Sequence, residues 1–340
     1  MSSEPTKPKV AFYWCAACGG CEEAVVDLAE DILTVTGAVD VIFWPVALDF
    51  KRSDVEAAPD GSIAVAFING AIRTSEQEEM AHLLRRKAQV MIAFGACSHL
   101  GGIPGLANLY DREMILHTVY DESPSTVNPE RMRPAEAWPV NGQTATLPAF
   151  HHTVRTLDQV VDVDYYLPGC PPTPKLIKDA VMAILAGQLP PKGSVLAPDV
   201  ALCDQCPLKS SKPERLLLTT FKRPHQVLID PDTCLLAQGL VCMGPATRGG
   251  CEALCPRGHM PCSGCFGPTS RVRDVGAKLA SAIASAVDAT DPQAIEAILA
   301  TIPDPVGTFY RYSLPASRLR RKVTEPASAQ APPAQAAAAP

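Results

Sequence analysis

The sequence has no surplus of positive charge: 30 Lys and Arg stand against 36 Asp and Glu, a net charge of −6. A polycationic surface for nucleic acid is therefore absent, no long acidic block marks a solvating tail, and no nucleic-acid partner is expected. Long apolar runs are missing too. None approaches the roughly 18–20 residues of a membrane helix, and the opening MSSEPTKPKV has neither an apolar h-region nor a twin arginine. The expectation is a cytoplasmic chain without membrane insertion. The 13 cysteines in 340 residues are too sparse for a disulfide miniprotein and too many for an ordinary reduced enzyme. Their uneven distribution reads as ligation. An apolar fraction of 47% suffices for a core, and the length suggests two domains or one domain with a large appendix.

From residue 9 to 200 the pattern alternates strand and helix. Val10–Trp14 is a short apolar strand, 22–35 carries helical spacing, and further strands are expected at 40–46, 63–68 and 90–94. A helix over 76–88, capped by Ser75, fits between the last two. Such βα units imply right-handed crossovers with helices on both sheet faces, and chemistry collected at the carboxyl ends of the strands. Residues 119–150, with five prolines, read as a loop-rich surface insertion. A last strand at 164–167 runs into Pro168-Gly169-Cys170-Pro171-Pro172 and a helix from Pro174 to Leu185. Periodicity then stops. The stretch 203–268 holds eight cysteines among many Gly and Pro residues and cannot bury a core of its own, so inorganic staples are expected there.

The fold class is accordingly a flavodoxin-like parallel α/β domain followed by an irregular, cofactor-stapled domain. The expected boundaries are a disordered 1–7, the α/β domain at 8–200, a two-cluster segment at 201–268, a C-terminal helical segment at 269–322 and a disordered Ala/Pro tail at 323–340.

Twelve of the 13 cysteines divide into three sets of four. Cys18, Cys21, Cys97 and Cys170 lie on loops at one edge of the inferred sheet. Glycines beside them let the backbone approach a bulky inorganic core and turn N–H groups toward sulfur, and the flanking prolines stiffen the loops. A [4Fe–4S] cube suits this better than zinc, although Cys₄ zinc sites use the same CxxC spacing. In the second half, sequence order gives Cys203, Cys206, Cys234 and Cys242 as one set and Cys251, Cys255, Cys262 and Cys265 as another. An interleaved pairing has equally acceptable spacing. Cys15, the thirteenth, is expected to be a small buried thiol.

These residues resemble the small subunit of [NiFe]-hydrogenases over about 8–268. WCAACGGCEE is similar to that family's proximal-cluster loop, GACSHLGGIPG and LPGCPP to its third and fourth ligand loops, and the downstream cysteines follow its distal and medial ligand order. Cys203 stands where many periplasmic members have histidine, and Cys255 supplies a fourth medial ligand. The resemblance therefore implies three all-cysteine [4Fe–4S] clusters. Without a twin-arginine signal, and with the 119–150 insertion, the chain most resembles the F420-non-reducing (methyl-viologen-reducing) group, with NAD(P)-linked cytoplasmic hydrogenases as neighbours. The implied function is electron relay from H2 oxidation. The partners would be a nickel–iron large subunit and a downstream acceptor, heterodisulfide reductase-like or another flavin or iron–sulfur module. No catalytic acid, base or nucleophile is expected in this chain. The competing readings are a relay beside a nickel-free large subunit and a Cys₄-zinc binding protein.

Other residues have plainer readings. Glu22 and Glu23 are helix-start carboxylates, with proton transfer by Glu23 the sharper alternative. His99 is expected beside the cluster or facing solvent or a partner, and His151 and His152 are polar loop residues. Lys175 and Arg248 are weak candidates for tuning cluster charge, and Arg318, Arg320, Arg321 and Lys322 form a basic run.

Overall fold

The computed structural model describes residues 7–319. Strand β1 (Lys9–Trp14) leads through helices α1 (Gly20–Val26) and α2 (Asp31–Ala38) to β2 (Asp40–Phe43), and α3 (Arg52–Ala57) leads to β3 (Ile63–Asn69). After the short β4 (Ile72–Thr74) come α4 (Ser75–Lys87), β5 (Ala88–Phe94), α5 (Gly95–Leu100) and α6 (Arg112–His117). A hairpin of β6 (Ala137–Val140) and β7 (Gln143–Thr146) precedes β8 (Phe150–Arg155), β9 (Tyr165–Leu167) and α7 (Pro174–Leu185).

Five strands form one parallel sheet in the order β2-β1-β3-β5-β9. This is the doubly wound order of the flavodoxin-like fold. Side chains alternate across it with the period of two that a strand imposes. Val10, Phe12, Val65, Phe67, Ile92 and Phe94 point to one face, under α1 and α7. Ala11, Ala66, Ile68, Met91 and Ala93 point to the other, under Met80, Leu83 and Leu84 of α4. The order reverses beside β1, where its carboxyl end releases the Cys15–Cys21 loop.

Three local expectations are corrected. The helix expected over 22–35 is two helices, because Ala29 adopts a left-handed conformation (φ +51°); the apolar spacing survives the break since Leu28 stays buried. The cap of α4 is Thr74, which accepts from the Gln77 amide, whereas the Ser75 hydroxyl accepts from the Ala149 amide and ties down the end of the insertion. The insertion itself carries an exposed hairpin turned by Asn141-Gly142, both at positive φ, the backbone a type I′ turn requires.

Asp164, at the base of β9, is nearly buried and receives Arg85, Lys192 and the Met91 amide. Burial alone would raise its pKa, but Lys192, Arg85 and the amide reverse this and hold it below the usual carboxylate value. A depressed folded-state pKa gives stability that is present above the unfolded value, about 4, and disappears as pH falls through the folded value. Asp164→Asn is therefore expected to lose roughly 1–3 kcal/mol at pH 7 and to converge on wild type near pH 2. Urea midpoints at the two pH values check this.

The second unit contains α8 (Leu202–Gln205), α9 (Leu254–Arg257), α10 (Val275–Ala284), α11 (Pro292–Leu299) and α12 (Pro305–Phe309). Asp274, Asp291 and Asp304 cap the last three by accepting the amides of Ala277, Ala294 and Gly307. The cysteine-rich segment, expected to lack a core of its own, shares one with the returning helices: Leu202, Leu218, Phe221, Leu236 and Met243 pack with Val275, Leu279, Ile283, Ile298 and Phe309. The chain then crosses back to the α/β domain. The Gly102 amide donates to Tyr312 O at 3.0 Å, Gln159 Nε2 donates to Pro315 O at 3.0 Å, and a Cβ on Gly101 or Gly105 would strike the Pro315 ring. No described helix is long and apolar enough to cross a membrane. Of the expected disordered N-terminus at 1–7 all but Lys7, and the whole of the expected tail at 323–340 with Arg320, Arg321 and Lys322, lie outside the described residues.

Candidate metal centres

Cys18, Cys21, Cys97 and Cys170 follow β1, β5 and β9 at the carboxyl edge of the sheet, but only Cys18 and Cys170 are on loops as expected: Cys21 lies in the first turn of α1 and Cys97 within the short α5. The space among them is defined by missing side chains. A Cβ on Gly95 would lie 2.4 Å from Cys21 Sγ, and one on Gly102 would lie 2.3 Å from Cys97 Sγ. The Gly20 amide donates to Cys18 Sγ at 3.5 Å. Burial, then the neighbouring Cys97, Cys170 and Cys18, drives the Cys21 thiol far above its ordinary pKa. Cys97 is pushed up to about 12 by burial and by Cys170, against the pull of the Ile103 amide. Cys15 belongs elsewhere. It is buried with Ala11, Ile68 and Ile72 on the opposite side of β1, and burial followed by Glu76, not another thiol, raises its pKa.

In the second unit, Cys203, Cys206, Cys234 and Cys242 line one pocket with Leu202, Leu208, Leu235 and Leu236. Burial, then Cys242, pushes Cys203 up to about 12, and Gly244 leaves room 3.2 Å from its sulfur. Cys251, Cys255, Cys262 and Cys265 neighbour one another less exclusively: burial, then Cys242 of the other set and afterwards Cys265, raises Cys262. Cys265 is pushed up to about 12 by burial, and it feels Cys251, Cys170 and Cys255. Burial, then Cys251, also raises Cys255.

Two contacts cross between these groups of cysteines. The Cys262 amide donates to Cys242 Sγ at 3.3 Å, and the backbone of Cys170 lies close enough to Cys265 to lower its thiol's pKa against burial. Cys262 and Cys265 therefore each neighbour a cysteine of another group.

The donor chemistry fits iron–sulfur clusters. Thiols such as Cys21, Cys97, Cys203 and Cys265, raised in pKa by burial and by neighbouring cysteines, do not ionise readily unaided, and a cationic core that deprotonates them removes the conflict. Amides aimed at sulfur and glycine-lined space match what such clusters require. Among the described residues no group of three or more His, Cys, Asp or Glu is drawn together as for a single metal ion.

The remaining candidates divide. Of the helix-start pair, Glu22 rather than Glu23 is the enclosed one: it is 4% exposed, receives the Trp44 indole and the Asn69 amide, and is raised in pKa by burial against those bonds. No sequence signal pairs three residues so far apart. His99 does not face solvent; its ring packs on Tyr166, its Nδ1 is sealed from water, and burial, then Arg248, lowers its pKa to about 3. Arg248 donates to the carbonyls of Ala197, Pro198 and Pro268 and pairs with Asp199, so it fastens the seam between the units. Lys175 turns to Asp179, and His151 lies on β8 against Glu78.

Comparison with known proteins gives a consistent result. The family described as NADH ubiquinone oxidoreductase, 20 Kd subunit, matches residues 18–184. The iron–sulfur subunit of F420-non-reducing hydrogenase from Archaeoglobus profundus is 38% identical over 319 residues, 93% of this chain and 98% of the relative. The corresponding subunit of the same enzyme from Methanothermobacter thermautotrophicus is 38% identical over 320 residues, covering 93% and 97%. Among solved structures, the [NiFeSe] hydrogenase of Desulfovibrio vulgaris Hildenborough aligns with a TM-score of 0.50 at 17% identity, over 78% of this chain and 95% of that one, a likeness of fold.

Proposed function

The chain belongs to the family of F420-non-reducing hydrogenase iron–sulfur subunits, and from that premise we propose that it relays electrons through three [4Fe–4S] clusters held by the three cysteine quartets. As a hydrogenase small subunit it is an oxidoreductase component that works with a large subunit. The finer reading gives the large subunit a nickel–iron centre that oxidises H2, and places a flavin- or iron–sulfur-containing module, heterodisulfide reductase-like, downstream in the cytoplasm. The observation that supports the relay is the proximity of the quartets to one another: the Cys262 amide donates to Cys242 Sγ at 3.3 Å, and Cys265 feels Cys170 as well as Cys251 and Cys255.

When bound, each cluster supplies one reversible electron. The protein's own part is ligation, spacing and shielding. Leu202, Leu235 and Leu236 keep water from the 203/206/234/242 quartet, and amides donated to sulfur favour the more reduced core by offsetting its charge. In this reading the quartet at the sheet edge, with Cys18 exposed, faces the large subunit, the 251/255/262/265 quartet is central, and the 203/206/234/242 quartet is outermost.

Anaerobically purified protein is expected to contain about twelve iron atoms and twelve acid-labile sulfides. Cys15→Ser should leave that content intact, whereas Cys97→Ser should remove about four iron atoms. Stoichiometric zinc, or iron loss in Cys15→Ser, would overturn the assignment.

A further inference from the structure

A groove of about 440 Å³ opens beside the central quartet. Its wall includes the two central cysteines Cys255, which is exposed, and Cys262, which is buried, with Met260 as exposed apolar surface. Around it stand Lys222, Arg223 and Arg311, all exposed. Among the described residues no carboxylate lines the groove and none of the three cations has an ion-pair partner. In a chain whose net charge is −6, cationic charge is thus left uncompensated around an opening onto a thiol of the relay. Elsewhere comparable cations are paired, as Lys209 is with Asp204 and Lys178 with Asp31.

Transient electron-transfer contacts are small, and complementary charge chiefly sets their encounter rate and orientation. We infer that this groove is a docking surface for a small acidic one-electron carrier protein, which exchanges electrons with the central cluster at the Cys255 side without passing through the outermost quartet. The inference rests on the relay reading. In the exchange, one electron leaves the reduced central cluster and reduces the carrier's oxidised centre. Two carriers account for each H2, whose two protons leave at the large subunit. The exposed apolar surface of Met260 supplies the dry centre of the contact, and the three cations supply its rim.

The test uses the assembled complex and an acidic plant-type [2Fe–2S] ferredoxin as the probe. Three proteins are compared: wild type, Cys206→Ala, and the triple variant Lys222→Gln/Arg223→Gln/Arg311→Gln, each checked for iron content and a bound large subunit. Wild type should bind oxidised ferredoxin with a Kd that rises with salt and reduce it under H2. Cys206→Ala should retain that reduction. The triple variant should bind and reduce ferredoxin roughly tenfold less well at low salt, with methyl viologen reduction unchanged. Loss of ferredoxin reduction in Cys206→Ala would make the outermost quartet the sole exit and overturn the proposal. Unchanged binding in the triple variant would overturn it as well, and release of the large subunit by those substitutions would make the groove a subunit contact instead. Absence of hydrogen-dependent viologen reduction in wild type would bring down the relay reading itself, an outcome separate from any result of the binding arm.

Discussion

Gly102→Ala protein is expected to purify with about four fewer iron atoms than wild type and to be less stable by roughly 2–5 kcal/mol. Two causes add at this position. Its backbone (φ +57°, ψ −159°) lies in a region essentially reserved for glycine. A Cβ there would also sit 2.3 Å from Cys97 Sγ and 2.7 Å from Cys97 Cα, so it takes space that the sulfur and its neighbours need. The comparison that separates the causes is Gly142→Ala. Gly142 also has positive φ, +78°, but nothing lies within 4 Å of its Cβ position. That variant should cost only about 1 kcal/mol and keep all its iron. Iron analysis with urea denaturation of both proteins decides the matter: full iron in Gly102→Ala would show that the cradle around Cys97 does not hold a cluster.

Cys206→Ala in the assembled complex is expected to abolish electron delivery to the downstream module while hydrogen–deuterium exchange at the large subunit continues. Exchange needs no electron to travel beyond the active site, whereas delivery needs every station up to the exit. The effect is close to all-or-none on one readout and near zero on the other. It depends on the serial order: Cys206 belongs to the quartet whose link to the rest runs through Cys242 and the Cys262 amide. Loss of exchange from a complex that retains its large subunit and its other two clusters would show that this quartet is not outermost.

Much of this was legible from the residues alone. The strand at Val10–Trp14, the β-strands ending before Cys97 and Cys170, and the helix from Pro174 to Leu185 follow from apolar period and proline placement, and they bring three cysteine loops to one edge. Cys203, Cys206, Cys234 and Cys242, grouped by their order in the sequence, line one pocket in the fold. What escaped depends on contacts distant in sequence or on backbone that side-chain pattern does not encode. The break at Ala29 leaves the apolar spacing intact and so is invisible to periodicity. Thr74 rather than Ser75 became the cap because the Ser75 hydroxyl is engaged by Ala149, 74 residues on. The pairing of Glu22 with Trp44 and Asn69 needed the sheet order before it existed. The hairpin at Asn141-Gly142 did have a signal, the Asn-Gly pair itself, which the prolines around it masked.

The return of the chain at Tyr312 and Pro315 onto Gly101, Gly102 and Gly105 governs the timetable of folding. The loop that carries Cys97 is translated in the first third of the chain, yet its outer wall is furnished by residues more than 200 positions later. During synthesis the sheet can form while that wall is still missing, so on the proposed cluster assignment Cys97 stays accessible for loading until the last helices have emerged and packed. Closure then comes from the carboxyl-terminal stretch, after the sheet it covers.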